Sequence, residues 1–114
     1  MGSKAKQQKV ISWEHAKYHP GEVVIVRGMV VNFHSGYNKY GTRYRRIALG
    51  KKYPEINCLY LFINERFEEK YPDLLKEIVL GTIVTVEGKV RISDKSLTSI
   101  TIERPSQLKS VDKQ

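Results

Sequence analysis

Apolar and polar positions alternate in the first half of the chain in the way that is typical of β-strands. Residues 22–33 (EVVIVRGMVVNF) are dense in β-branched side chains, and Gly28 interrupts them where a bulge or sharp bend lets one strand serve two sheets. Residues 34–42 (HSGYNKYGT) are rich in turn-forming types, and residues 43–50 (RYRRIALG) alternate again. The pattern predicts two strands joined by a hairpin.

The next segment predicts a central strand followed by a helix. Residues 56–64 (INCLYLFIN) are apolar on both faces, as in a strand that is covered on both sides. In residues 65–81 the apolar side chains recur at intervals of three and four, Pro72 suits a first helical position and Gly81 suits a helix stop. We therefore expect one helix in this segment.

The two ends of the chain predict a helical turn and a closing pair of strands. Ser12 can cap a short turn that carries Trp13, whose ring we expect to plug the bottom of the fold. Residues 82–92 alternate around Gly88, a second bend point, and residues 97–103 alternate again after an SDKS turn. The predicted order is three strands, a helix and two strands.

This order resembles that of the OB-fold family of nucleic-acid-binding domains, over residues 12–108. The resemblance rests on VVIVRGMVV and TIVTVEGKV, which share a V-x-G-x-V core, on the helix after the third strand, and on the closing ITIERPSQL. It implies an all-β fold, a five-stranded Greek-key barrel with one helix between strands three and four. It also implies that oligonucleotides or oligosaccharides bind the face of the second and third strands, between the first and last hairpin loops.

Length and composition favour one domain. A chain of 114 residues suits a single hydrophobic core. We assign residues 1–10 to a disordered basic leader that can include a tag remnant, residues 11–108 to the OB-fold domain and residues 109–114 to a polar tail. The apolar runs reach about five residues, against the roughly 20 that span a bilayer. We expect a cytoplasmic or nucleoid-associated protein that is neither secreted nor membrane-bound, in which the lone Cys58 is a small buried side chain.

Positive charge is concentrated in one stretch of the sequence. Residues 23–54 contain seven Lys or Arg side chains and no Asp or Glu, which gives +7. The whole chain carries +8, so the other 82 residues together contribute only +1. A local excess of Lys and Arg is the electrostatic footprint of a protein that binds a polyanion, although a solvated basic face has the same composition.

Aromatic rings interleave with these cations at the place where the resemblance puts a ligand. Tyr37, Tyr40 and Tyr44 are spaced three and four apart, so each ring can stack on a different base while the cations between them neutralise phosphates. In the last loop, two further cations can hold a phosphate. The predicted nucleic-acid-binding residues are Tyr37, Lys39, Tyr40, Arg43, Tyr44, Arg45, Arg46, Lys51, Lys52, Tyr60, Arg91 and Lys95.

Strand periodicity predicts which face these side chains take. In the second strand Arg46 lies on one face, and Arg45 lies with Ile47 on the other. In the central strand one face must fill the barrel, so Tyr60 and Phe62 are candidates for either core or ligand. Of the two, we expect Tyr60 to be exposed.

The expected function is single-stranded DNA or RNA binding, with an interaction module as the alternative. In the alternative, the basic hairpin docks an acidic partner protein, or the chain is an accessory subunit of a nucleic-acid-processing complex. We do not expect an enzyme, because metal-dependent phosphoryl chemistry needs carboxylates and residues 23–54 have none. His15 and His19 stand four apart, but Pro20 follows at once and no third ligand is near, so we expect neither a metal nor a cofactor.

Overall fold

The computed structural model describes residues 9–50 and 58–112 of the chain. Strands dominate this part of the chain. They are β1 (Val10–Ser12), β2 (Val23–Tyr37), β3 (Arg43–Leu49), β4 (Leu59–Asn64), β5 (Ile83–Lys89), β6 (Arg91–Ile92), β7 (Thr98–Ile102) and β8 (Leu108–Asp112). The helices are α1 (Glu65–Lys70) and α2 (Pro72–Lys76), and 3-10 turns span Trp13–Tyr18 and Pro105–Gln107.

The strands form one strongly curled sheet in the order β6-β7-β4-β3-β2-β5-β8, with β1 added in parallel to β2. The pair β4–β7 is also parallel, and the other neighbours are antiparallel. Strand β6 continues β5 after the single residue Val90, so one stretch of chain forms one margin of the curled sheet and the strand next to the other margin, β8. This is the predicted Greek-key barrel, and its five strands correspond to β2, β3, β4, β5 with β6, and β7.

Strand β2 changes partner along its length, as the predicted bend requires. Its first half, Val23 to Met29, pairs with β5, and its second half pairs with β3 after a register shift between Val30 and Asn32. The irregularity therefore lies beyond Gly28, and Gly28 has a different role. A Cβ at that position would lie 2.9 Å from Cδ1 of Trp13, so the glycine leaves room for the indole ring.

The core lies inside the curled sheet and is built from the inward positions of every long strand. Helix α1 covers one end of it with Phe67, and α2 adds Leu75. Trp13 packs against the same core from the 3-10 turn, which confirms the plug predicted from sequence. The most deeply buried core side chains are Val26, Val30, Ile47, Leu49, Leu59, Leu61, Ile63, Val84, Val86, Val90 and Ile100.

The single helix predicted for residues 65–81 is wrong, because the structure has two short helices there. The residue before a proline is excluded from the α region, and Tyr71 accordingly takes φ −129° and ψ 56° in front of Pro72. The second helix ends at Lys76 rather than near Gly81. Gly81 instead has φ +89° and its N–H donates to the carbonyl oxygen of Val30, which ties the connection to β2.

Residues 109–112, predicted as part of a polar tail, belong to strand β8. The strand pairs with β5, and Leu108 and Val111 pack against the core while Lys109 forms an ion pair of 3.0 Å with Glu87. Two apolar side chains among polar neighbours are enough for a strand when an edge is available to pair with. At the other end, β1 begins at Val10, within the predicted leader, of which residues 1–8 lie outside the described part.

Candidate nucleic-acid interface

The tip of the β2–β3 hairpin is a well-defined turn. The side-chain oxygen of Asn38 accepts hydrogen bonds from the backbone N–H of Tyr40 at 2.9 Å and of Thr42 at 3.0 Å. The backbone N–H of Asn38 donates to the carbonyl oxygen of Thr42, and Gly41 supplies the left-handed residue with φ +80°. These hydrogen bonds therefore define the backbone conformation of the tip.

Two tyrosine rings are exposed at this tip. Tyr37 is 71% exposed and Tyr40 is 80% exposed, and the Lys39 ammonium lies 5.3 Å from the centre of the Tyr40 ring. An exposed tyrosine ring presents a flat face on which a base can stack. The hairpin tip, which we define as Tyr37, Lys39 and Tyr40, thus has the two chemical groups that a single nucleic-acid strand requires, a cation and stacking faces.

Further along the hairpin, the pairing register assembles a second aromatic group on the outer face of β3 and β4. Arg46 of β3 lies opposite His34 of β2 and Phe62 of β4. Two residues along, Ala48 lies opposite Tyr60. Directly paired residues point to the same side of a sheet, so these side chains share the outer face.

Arg46 lies among the rings of this face. Its guanidinium carbon is 5.5 Å from the ring centre of Tyr60, 5.6 Å from Tyr44 and 5.8 Å from Phe62. The Tyr44 and Phe62 rings are themselves 5.7 Å apart, and a terminal nitrogen of Arg46 donates to the Tyr44 hydroxyl at 3.4 Å. We call these four residues the aromatic face. A guanidinium over ring faces is a favourable cation–π arrangement that also presents donors to a phosphate.

The expectation that Tyr60 is the exposed ring of the central strand is wrong. Tyr60 is only 1% exposed, and it belongs to a small cluster with Ala48 and Cys58 that is separate from the barrel core. Phe62, which packs at the edge of that cluster, is the more exposed of the two. Tyr60 does lie on the outer face, but its neighbours cover it, so Tyr44 and Phe62 are the rings that a base can reach. Cys58 is buried, as predicted.

The other two arginines of β3 lie on the opposite face from Arg46. Arg45 forms an ion pair of 2.7 Å with Glu68, and Arg43 approaches Glu65 and Glu68 at 3.6 Å each. These carboxylates belong to α1, which packs below the hairpin. The predicted phosphate contacts of Arg43 and Arg45 therefore face competition from the carboxylates of Glu65 and Glu68.

A groove continues the aromatic face towards β6. It is lined by Phe62, Ser99 and Thr101 on one side and by Lys89 and Arg91 on the other. Arg91 pairs with Ser99, which pairs with Tyr60, so Arg91 belongs to the same outer face. Phe62 was named from the sequence as a candidate for either core or ligand, with Tyr60 preferred, and the structure places Phe62 in the groove. Lys89 was not predicted, because its place in the groove depends on how β5 and β6 are arranged.

The remaining predicted residues fall into two groups. Lys95 is exposed in the turn between β6 and β7, where the Ser93 hydroxyl accepts from the backbone N–H of Lys95 and of Leu97. Lys51 and Lys52 lie outside the described residues. Within residues 9–50 and 58–112, no three His, Cys, Asp or Glu side chains are grouped so that they could hold a metal ion. None of the helices described here has the length and apolar character that a membrane crossing needs.

Known proteins resemble this chain in structure and not in sequence. No protein-family model matches it, and no curated protein sequence does. The mitochondrial single-stranded DNA binding protein Rim1 from S. cerevisiae matches with a TM-score of 0.51 at 16% identity, covering 80% of this chain and 92% of that chain. The SSB domain of a protein from Synechococcus sp. matches with a TM-score of 0.50 at 17% identity, covering 79% and 92%.

A third similar structure is the OBody AM2EP06 bound to hen egg-white lysozyme. Its TM-score is 0.57 at 15% identity, and the match covers 98% of this chain and 100% of that chain. At such low identities the likeness concerns the fold. The strand order, the parallel β4–β7 pair and these structural neighbours together show that the chain has the OB fold.

Proposed function

We propose that this protein binds single-stranded nucleic acid, DNA or RNA, across the hairpin tip and the aromatic face. The observation that carries the proposal is the position of Arg46 among the rings of Tyr44, Tyr60 and Phe62 on the outer face of the barrel. Bases stack on the accessible rings, and the cations beside them neutralise phosphates. The exposed rings of the hairpin tip extend the same combination beyond the barrel.

The structural neighbours support this proposal. One of them is a single-stranded DNA binding protein and another is an SSB domain, and both are similar to this chain in fold. The proposal needs neither a metal nor a cofactor, and it assigns no catalytic role.

A protein-docking module is the second candidate, because the OBody that covers 98% of this chain is bound to a protein, lysozyme. In that case the cations of the hairpin tip and the aromatic face attract an acidic partner protein, and the rings contribute mainly to the packing of the domain. The two candidates differ in whether binding requires aromatic faces, and this difference can be measured.

The primary test is a fluorescence-anisotropy titration with labelled single-stranded DNA, single-stranded RNA and duplex DNA at several salt concentrations. Four described cations border the proposed path, namely Lys39, Arg46, Arg91 and Lys95. At about 0.7 per phosphate contact, they predict a slope of log affinity against log salt of about −3 for a single strand. Duplex should bind more weakly, because stacked and paired bases cannot reach the rings. A slope near zero would contradict the proposal.

A second test separates stacking from charge attraction. Replacing Tyr37, Tyr40 and Tyr44 together by leucine should weaken single-strand binding by several kcal/mol at most, at about 1–3 kcal/mol per base lost with imperfect additivity, and should leave the salt slope unchanged. Tyr18→Leu is the control, because this tyrosine is 67% exposed but lies on the 3-10 turn near the N-terminus. If the triple variant binds as tightly as the parent protein, the docking-module candidate replaces the proposal.

A further inference from the structure

The groove beside the aromatic face adjoins a second cavity, at the end where β5 passes into β6. The two cavities share the lining residues Lys89, Arg91 and Thr101. We call the second cavity the end cleft. Its lining residues are Val23, Glu87, Gly88, Lys89, Arg91, Thr101, Glu103, Arg104 and Gln107.

Gln107 fixes the floor of the end cleft. This side chain is only 5% exposed, and its amide nitrogen donates to the carbonyl oxygens of Glu87 at 3.0 Å and Thr101 at 2.9 Å. Its amide oxygen accepts from the backbone N–H of Glu103 at 2.7 Å and of Arg104 at 2.9 Å. One side chain therefore joins β5, β7 and the segment that carries Arg104, so the backbone around the cleft is held in one arrangement.

The charge of the end cleft is positive. Lys89, Arg91 and Arg104 contribute three cations, and within the part of the chain that the structure describes none of them forms an ion pair. Of the two acidic lining residues, Glu87 is already offset by Lys109 at 3.0 Å. This leaves three cations against Glu103 alone.

We propose that a bound nucleic-acid strand runs from the aromatic face across β6 into the end cleft, where Lys89, Arg91 and Arg104 neutralise its phosphates. This inference rests on the proposed function and deepens it, because it sets the direction of the path and adds a contact that short ligands cannot use. Strands β4 and β7 lie between Arg46 on β3 and the strand β6 that borders the cleft. Three spacings of about 4.8 Å put Arg91 of β6, one of the cleft cations, about 14 Å from Arg46. A strand that reaches it must extend beyond the nucleotides stacked on the rings.

The test compares oligothymidylates of about 5 and about 15 nucleotides, near the two ends of the range that single OB folds bind. Arg104→Gln should weaken the longer ligand by about fivefold at 0.1 M salt, which is the effect of one lost phosphate contact at ~0.7 in the salt slope, and should leave the shorter ligand unchanged. Lys89→Gln should have the same length-dependent effect. Lys76→Gln is the charge-matched control, since this exposed lysine of α2 lies outside both cavities.

The outcomes distinguish this inference from the function on which it rests. If the parent protein binds neither ligand, both fail. If the parent protein binds both ligands, but Arg104→Gln and Lys89→Gln bind the long one as well as the control does, the strand does not enter the end cleft and the proposed function stands. Equal weakening of the short and long ligands by these variants would also overturn the path, because it would place the cleft next to the first bound nucleotides.

Discussion

The three arginines of β3 should contribute unequally to nucleic-acid binding. Arg46→Gln removes the guanidinium that lies among the rings of the aromatic face. Arg43→Gln with Arg45→Gln removes two guanidinium groups that contact carboxylates of α1 on the opposite side of the strand. The double variant removes two positive charges and the single variant removes one. Because of where these side chains lie, Arg46→Gln should nevertheless lower the affinity for nucleic acid more than the double variant does.

The structure gives the size of the difference. If Arg46 contacts one phosphate, its replacement flattens the salt slope by about 0.7 and lowers affinity about fivefold at 0.1 M salt. Arg43 and Arg45 together carry +2, which Glu65 and Glu68 offset with −2 at 3.6 Å and 2.7 Å. Their double replacement should therefore change the slope by close to zero. It should cost less than about 1 kcal/mol per lost pair in stability, because the side chains are partly exposed.

The assay is a set of anisotropy titrations with a single-stranded oligonucleotide at four or more salt concentrations, for the parent protein, Arg46→Gln and the Arg43→Gln/Arg45→Gln double variant. Glu68→Gln is the informative control. Since it removes the carboxylate that contacts both arginines, but these arginines lie on the face opposite the proposed path, it should leave the salt slope nearly unchanged. The reasoning would be refuted by a double variant whose slope flattens by about 1.4, the value for two lost phosphate contacts.

Three further predictions concern the scaffold that presents this surface. Gly50→Ala should lower Tm by at least about 8 °C, because φ is +86° and the new Cβ would collide with Trp13. Gly41 also has a positive φ, +80°, but lies in open space, so Gly41→Ala should lower the free energy of unfolding by only about 1 kcal/mol. Gln107→Leu should lower the urea midpoint by the equivalent of about 3 kcal/mol, since it leaves buried backbone groups unsatisfied. Trp13→Leu should cost about 2 kcal/mol in urea unfolding and leave the oligonucleotide Kd unchanged, and a loss of binding would contradict its role as a plug.

The sequence predicted the strands well because their signal is local. Residues 43–49 alternate between core and outer face, and the structure places Ile47 and Leu49 inside and Arg46 outside, as the period of two requires. The OB-fold order followed from the arrangement of these segments, and both the hairpin and the helical region lie where they were expected. The pattern also gave the exposed rings of the hairpin tip.

The errors came from contacts between residues far apart in sequence. Strand β8 depends on the free edge of β5, and no pattern within residues 109–114 indicates that such an edge exists. The burial of Tyr60 depends on Ala48 and Cys58, which a single strand pattern cannot bring together. The ion pair between Arg45 and Glu68 joins residues 23 positions apart. Periodicity gives the face that a side chain occupies, whereas its neighbours on that face come from strand pairing.

The local charge of +7 in residues 23–54 therefore overstates the charge that a phosphate meets. A strand displays its residues alternately on two faces, so a run of adjacent cations in a strand cannot form one continuous track. Arg43 and Arg45 lie at odd positions of β3, and both form ion pairs with carboxylates of α1. Arg27 of β2 forms an ion pair with Asp112 at 3.1 Å. Among the described residues, the cations of the proposed path include Lys39, Arg46 and Arg91, which come from separate strands and turns. These cations lie along a line that crosses the sheet, so we expect a bound strand to continue from the hairpin tip across β3, β4 and β7.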